Sequence, residues 1–149
     1  MSNDKLGTKA IWLFSLATLV LAVAVTYLIP KIVGPISPKA MAAVYGALFG
    51  AGAAAAAFLT RANPFAVIGS SAVASLGLAI FYYVVVGRVA AAAADSLGAS
   101  GGAASTIGAM SGMIFAVIFF AAGLAGSVGG ALFGAKLRNA QSGPLLAKR

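Results

Sequence analysis

The chain has 149 residues, 62% of them hydrophobic and 8% charged, with a mean hydropathy of +1.05. A soluble domain carries about a quarter charged residues, so lipid must be the solvent for most of this surface and a water-soluble globular fold is excluded. The formal charge of +8 comes from 10 Lys and Arg scattered at the ends of apolar runs, a pattern that orients membrane helices and argues against a nucleic-acid partner.

Chemistry is bounded just as tightly. There is no Cys, His or Glu, and Asp occurs only at Asp4 and Asp95. Disulfides, thiolate nucleophiles, imidazole ligation of haem or chlorophyll and the usual zinc sites are therefore out of reach. The sequence predicts no catalytic residue, no metal site and no cofactor motif. A lipid, quinone or carotenoid held by packing alone would leave no motif to read.

Four runs carry no charge and are long enough to span a bilayer, at 11–30, 40–59, 64–86 and 107–133. A hydrocarbon core of about 30 Å takes roughly 20 helical residues. The expected fold is all-α, one transmembrane domain over 1–149, with four helices running up-down-up-down. The first run is preceded by Lys5 and Lys9 and continues through Thr26-Tyr27-Leu28-Ile29, longer than the apolar region of a signal peptide. Trp12 near its start and Tyr27 near its end suit an aromatic belt at the two interfaces. Pro30 is expected to kink or end this helix and to leave Lys31–Val33 as an interfacial turn.

Ser37-Pro38 and Asn63-Pro64 pair an N-cap side chain with a proline at the first helical position, and they open the second and third spans. The second span carries Ala42, Gly46, Gly50 and Ala54 at intervals that place them on one face. The third has Ser71, Ser75 and Ala79 at the same spacing. Its hydroxyls can bond back to their own helix carbonyls, or Ser71 and Ser75 can line a narrow polar seam. No base lies in any span to activate a serine. The segment 88–106 is expected to be the longest link, with the alanine run 90–94 favouring a short helix and the Gly/Ser half a flexible connection.

The fourth span holds two ladders, Gly108, Gly112 and Ala116, then Ala122, Gly126, Gly130 and Gly134. Small residues let helix backbones approach closely, and this packing drives association where lipid removes the hydrophobic incentive. Gly46, Gly50, Gly108, Gly112, Gly126, Gly130 and Gly134 are thus the candidate packing positions. They can serve packing within the chain or contact with another chain. A short echo, Gly46–Ala51 repeated as Gly130–Ala135, reads as coincidence in a chain this rich in Ala and Gly. The bulky stretch Ile114–Phe120 between the ladders is expected to face lipid or a neighbour's groove. Gly143-Pro144 should stop the helix. The segment 136–149 then forms a basic tail with Lys136, Arg138, Lys148 and Arg149, suited to anionic lipid headgroups, with Lys136 and Arg138 as interfacial anchors.

With four spans both termini share a side. That side holds seven Lys and Arg against three on the other, which places the termini in the cytoplasm. Small multidrug transporters and rotary-ATPase proteolipids need a carboxylate inside a span, and quinone-linked thiol oxidases need cysteines, so each comparison fails at its functional residue. The function expected is a non-catalytic subunit of a bacterial-type cytoplasmic membrane, packing with other membrane subunits or with copies of itself. A pore or carrier for a small neutral or apolar solute is the alternative.

Overall fold

The computed structural model describes residues 3–34 and 36–146. It contains four α-helices, α1 (Asn3–Ile32), α2 (Pro38–Leu59), α3 (Pro64–Ser96) and α4 (Gly101–Leu146), and no strand among the described residues. All four are long and apolar enough to cross a membrane. Local chemistry sets two of the starts. Ser37 Oγ accepts a hydrogen bond from the Ala40 N–H at 3.3 Å, and Asn63 Oδ1 accepts one from the Phe65 N–H at 3.0 Å. Pro38 and Pro64 follow at first-turn positions, where no helical N–H is missed.

Three boundaries differ from the sequence reading. Pro30 lies inside α1, and the chain turns only at Val33 and Gly34, the latter with φ +89°. The proline removes one bond near the helix end, and the ladder resumes at once with Val33 N–H donating to the Ile29 carbonyl at 2.9 Å. The second difference is the link at 88–106. Its alanine run prolongs α3 to Ser96, α4 begins at Gly101, and four residues remain between them. Gly98, at φ +88°, takes the left-handed position that ends α3, and Ala99 N–H reaches back to the Ala94 carbonyl at 3.1 Å. This is a Schellman cap, and alanine has the helix propensity to carry the chain up to it. Third, α4 continues through Gly143-Pro144 to Leu146. A proline so near the end of a long helix removes only one bond, so much of the expected tail is helical. Lys148 and Arg149 lie outside the described residues.

Contacts between helices give their directions. Residues of α2 meet residues of α4 at a constant offset in sequence: Gly46 with Gly126, Gly50 with Gly130, Ala54 with Gly134. A constant difference means the two helices run parallel. Gly87 meets Gly108 and Tyr83 meets Gly112, a constant sum, so α3 and α4 are antiparallel. Ser15 meets Ser70 and Thr26 meets Tyr82, so α1 runs with α3. The helices therefore alternate in direction. Around the bundle their order is α1, α2, α4, α3, and among the described residues α1 does not reach α4.

Two buried clusters fill the bundle along its length. One is built around Tyr45, Phe49, Leu78, Tyr82 and Phe119, the other around Ile11, Ala53, Ala57, Val67 and Ala131. The second cluster is mostly alanine because the helices lie too close there for larger side chains. Phe119 departs from the expectation for its bulky stretch: it is buried in the core, while Ile114 and Ile118 face outwards. At about 1.5 Å per residue α3 is about 50 Å long and α4 about 70 Å, so both extend beyond a hydrocarbon core of about 30 Å.

Because Ala92 is exposed within a helix rather than in a link, Ala92→Pro should destabilise the protein by about 3 kcal/mol, by removing one helical bond and striking the preceding turn. Thermal unfolding in detergent followed by circular dichroism would measure it, and an unchanged midpoint would contradict a continuous α3.

Candidate functional site

The closest approach in the molecule is between the backbones of α2 and α4. A Cβ placed on Gly126, Gly130 or Gly134 would overlap the carbonyl oxygen of Gly46, Gly50 or Ala54. In the reverse direction, a Cβ on Gly50 would stand 3.2 Å from the Gly126 carbonyl oxygen, and one on Gly46 3.4 Å from that of Ala122. Each glycine thus faces a partner carbonyl, an arrangement in which Cα–H groups contact oxygen and dispersion acts over the whole seam. The repeated Gly-Ala-Leu-Phe-Gly-Ala segments lie side by side, one helical turn out of register. Between α3 and α4 the approach is also close, since a Cβ on Gly108 would stand 2.5 Å from the Gly87 carbonyl oxygen and one on Gly112 would meet that of Tyr83 at 2.5 Å. All seven glycine positions singled out in the sequence therefore make contacts within the chain.

Hydroxyl groups are used between helices and along them. Ser71 and Ser75 are both buried, Ser75 completely, and Ser75 Oγ donates to the Ala72 carbonyl at 2.9 Å. A Cβ on Gly123 would lie 2.9 Å from Ser75 Cβ, so this face of α3 is closed against α4. The neighbouring Ser70 joins α3 to α1, accepting a hydrogen bond from Ser15 Oγ at 2.9 Å.

A larger polar cluster escaped the sequence reading. Thr26, Tyr45 and Tyr82, from α1, α2 and α3, bring their hydroxyls together. Thr26 Oγ1 lies 2.7 Å from Tyr45 Oη, Tyr82 Oη donates to Thr26 Oγ1 at 3.3 Å, and the two phenols are hydrogen-bonded to each other. Thr26 Oγ1 in turn donates to the Ala22 carbonyl at 2.9 Å. Phe119 of α4 covers the pair, with its ring 5.1 Å from that of Tyr45 and 4.3 Å from that of Tyr82. Tyr45 and Phe119 are almost wholly buried, so this is the point where all four helices converge. Hydroxyls bonded to one another with no carboxylate, imidazole or amine beside them can hold helices together, but they supply no general base. The signal was available in part: Tyr45 stands in α2 among Ala and Gly, where a lone large polar ring needs a partner.

The expected interfacial residues divide. Trp12, Tyr27 and Lys136 are exposed, and Tyr27 makes an edge-to-face contact with Phe81 at 6.1 Å. Arg138 does something else as well. Its guanidinium donates to the carbonyls of Ala57 at 3.4 Å and Ala62 at 3.2 Å, at the end of α2. A cation there suits the partial negative charge of a helix C-terminus. Among the described residues no three of His, Cys, Asp and Glu gather into a metal-ligand group.

Fold and composition together define a multi-pass membrane protein built on a four-helix bundle. Compared with protein families, curated proteins and solved structures, the chain matches none.

Four substitutions probe these contacts. Gly130→Ala should cost about 3 kcal/mol, since its Cβ meets backbone that cannot step aside, whereas Gly129→Ala, which meets nothing within 4 Å, should stay within about 0.5 kcal/mol. Tyr45→Phe should lose about 1 kcal/mol by removing one hydroxyl from the three-helix cluster, and Tyr45→Ala about 3–5 kcal/mol by emptying the core. Reversible unfolding in mixed micelles would rank all four; equal losses in the two glycine variants would refute the close approach.

Proposed function

We propose that this protein is a non-catalytic integral membrane subunit that assembles with other membrane subunits or with copies of itself. One observation carries the reading. The seven-glycine set is occupied inside the chain, yet a further small-residue surface is left open. Ala43, Ala47 and Ala51 on α2 and Ala121, Ala125 and Gly129 on α4 are all exposed. Each stripe sits one residue from the interhelical ladder of its own helix, on opposite sides of it in sequence. In two parallel helices joined along those ladders, the helical period turns both stripes to the same side. The result is a flat face across α2 and α4, away from α1 and α3, with no large side chain along either stripe. Such a surface gives a second helix pair close backbone access and gives lipid chains little to grip.

The proposed location is a bacterial-type cytoplasmic (inner) membrane with both termini in the cytoplasm. Seven Lys and Arg on the terminal side against three on the other support that orientation. Conduction along Ser71 and Ser75, the competing reading, draws no support from side chains packed so closely on α4.

Substitution separates the two kinds of small residue. Ala125→Leu and Gly129→Leu should disperse the assembly into single chains without moving the unfolding midpoint, because both sites are exposed and a Cβ on Gly129 meets nothing within 4 Å. Gly130→Leu should prevent folding instead. Native mass spectrometry from a mild detergent reads the stoichiometry. An assembly left intact by both outward variants would defeat the proposal.

A further inference from the structure

The outward side of the seam between α3 and α4 carries two recesses that meet at Tyr83. One, of about 290 Å³, is walled by Leu76, Ile80, Met113, Val117 and Phe120 and offers only carbon. The other, of about 350 Å³, continues past Tyr83 and adds Arg88 and Ser105 to its lining. The two together are amphiphilic from end to end: a dry groove below, a cation and a hydroxyl above.

The length has a meaning in a bilayer. From Leu76 to Arg88 the helix rises about 18 Å, close to one leaflet of a hydrocarbon core about 30 Å thick. Arg88 therefore stands where headgroup phosphates lie when the groove lies beside acyl chains. It is exposed, and it forms no hydrogen bond or ion pair among the described residues. The nearest acidic residue in sequence, Asp95, is about 10 Å further along the same helix. A guanidinium in that position favours a phosphate, which it can bind through two parallel N–H donors. An apolar groove in a bilayer is filled in any case, because an empty one forfeits the dispersion contacts of its walls.

We propose that the α3–α4 seam is a binding site for an anionic phospholipid, with the headgroup phosphate at Arg88 and one acyl chain in the groove between Leu76 and Phe120. The site is independent of the assembly face, which lies on α2 and the other side of α4. Lipid selectivity at this position comes from one charge, and the groove contributes affinity without distinguishing headgroups.

The test uses the full chain in mild detergent, titrated with phosphatidylglycerol and phosphatidylcholine of matched acyl chains and read by native mass spectrometry. The wild type should retain phosphatidylglycerol about tenfold better, because both lipids offer a phosphate to Arg88 but the choline cation of phosphatidylcholine cancels the charge that attracts the guanidinium. Arg88→Gln should bring that ratio close to one while its unfolding midpoint in lipid-free detergent stays where it was. Ala116 also lines the groove, and Ala116→Phe, which fills it, should lower retention of both lipids. Several results would overturn the assignment: equal retention of the two lipids by the wild type, an undiminished preference in Arg88→Gln, or displacement of the lipid by millimolar inorganic phosphate. So would loss of a homodimer in Ala116→Phe with lipid retention unchanged, since a second copy would then occupy the seam.

Discussion

The parallel contact between α2 and α4 is the constraint that the rest of the bundle answers to. Where Gly126, Gly130 and Gly134 face the carbonyls of Gly46, Gly50 and Ala54, the axes are closer than any side chain larger than hydrogen allows. That distance decides what surrounds it. The adjoining layer is built of Ala53, Ala56, Ala57 and Ala131 around Val67 and Ile11. Towards the other end the core takes the larger side chains of Tyr45, Tyr82 and Phe119. The core is thus lined with alanine towards one end and with aromatic rings towards the other.

Polar groups in such a body have few places to go. Serine and threonine hydroxyls bond to carbonyls of their own helices, as Thr18 does with Phe14 at 2.8 Å and Ser127 with Gly123 at 2.8 Å, or they meet a hydroxyl from another helix. The cross-links at Ser15–Ser70 and Thr26–Tyr45–Tyr82 both tie in α1, the helix that buries the least of itself. Without close glycine contacts of its own along most of its length, α1 is held by hydrogen bonds and by single insertions such as Thr18 over Gly52. Two modes of adhesion therefore coexist: backbone proximity among α2, α3 and α4, and hydroxyl pairing for α1.

Much of this architecture was legible in the residues, for reasons that can be named. Long uncharged runs announce spans because lipid tolerates nothing else, and Ser37-Pro38 and Asn63-Pro64 mark helix starts by satisfying local backbone groups. Interval patterns such as Gly126, Gly130 and Gly134 reveal a face but not what that face meets. The parallel pairing with α2 depends on how four helices close into a bundle. Local signals also misled where they were weaker than their context. Gly143-Pro144 and Pro30 each remove a bond without ending a helix, and the alanines before Asp95 extend α3 rather than bridging to α4. Least legible was the tyrosine cluster, since Thr26, Tyr45 and Tyr82 become neighbours only after three helices have taken their places. The open surface formed by Ala43, Ala47, Ala51, Ala121, Ala125 and Gly129 was equally hidden, because in sequence it cannot be told from the interhelical ladders beside it.

The offset between Gly50 and Gly130 has a consequence for biogenesis. These partners lie far apart in the chain, and one of them belongs to α4, which is synthesised after α1, α2 and α3. A chain growing from its N-terminus therefore places α1, α2 and α3 in the bilayer with the glycine face of α2 and that of α3 still bare. Long-range closure of this kind is slow to reward the chain entropy it consumes. Until α4 arrives, the nascent protein is an open cleft shaped to accept a glycine-bearing helix, and any other helix of that type in the membrane competes for it. Fidelity of assembly thus rests on α4 entering directly behind α3, for which a connection of four residues is well suited.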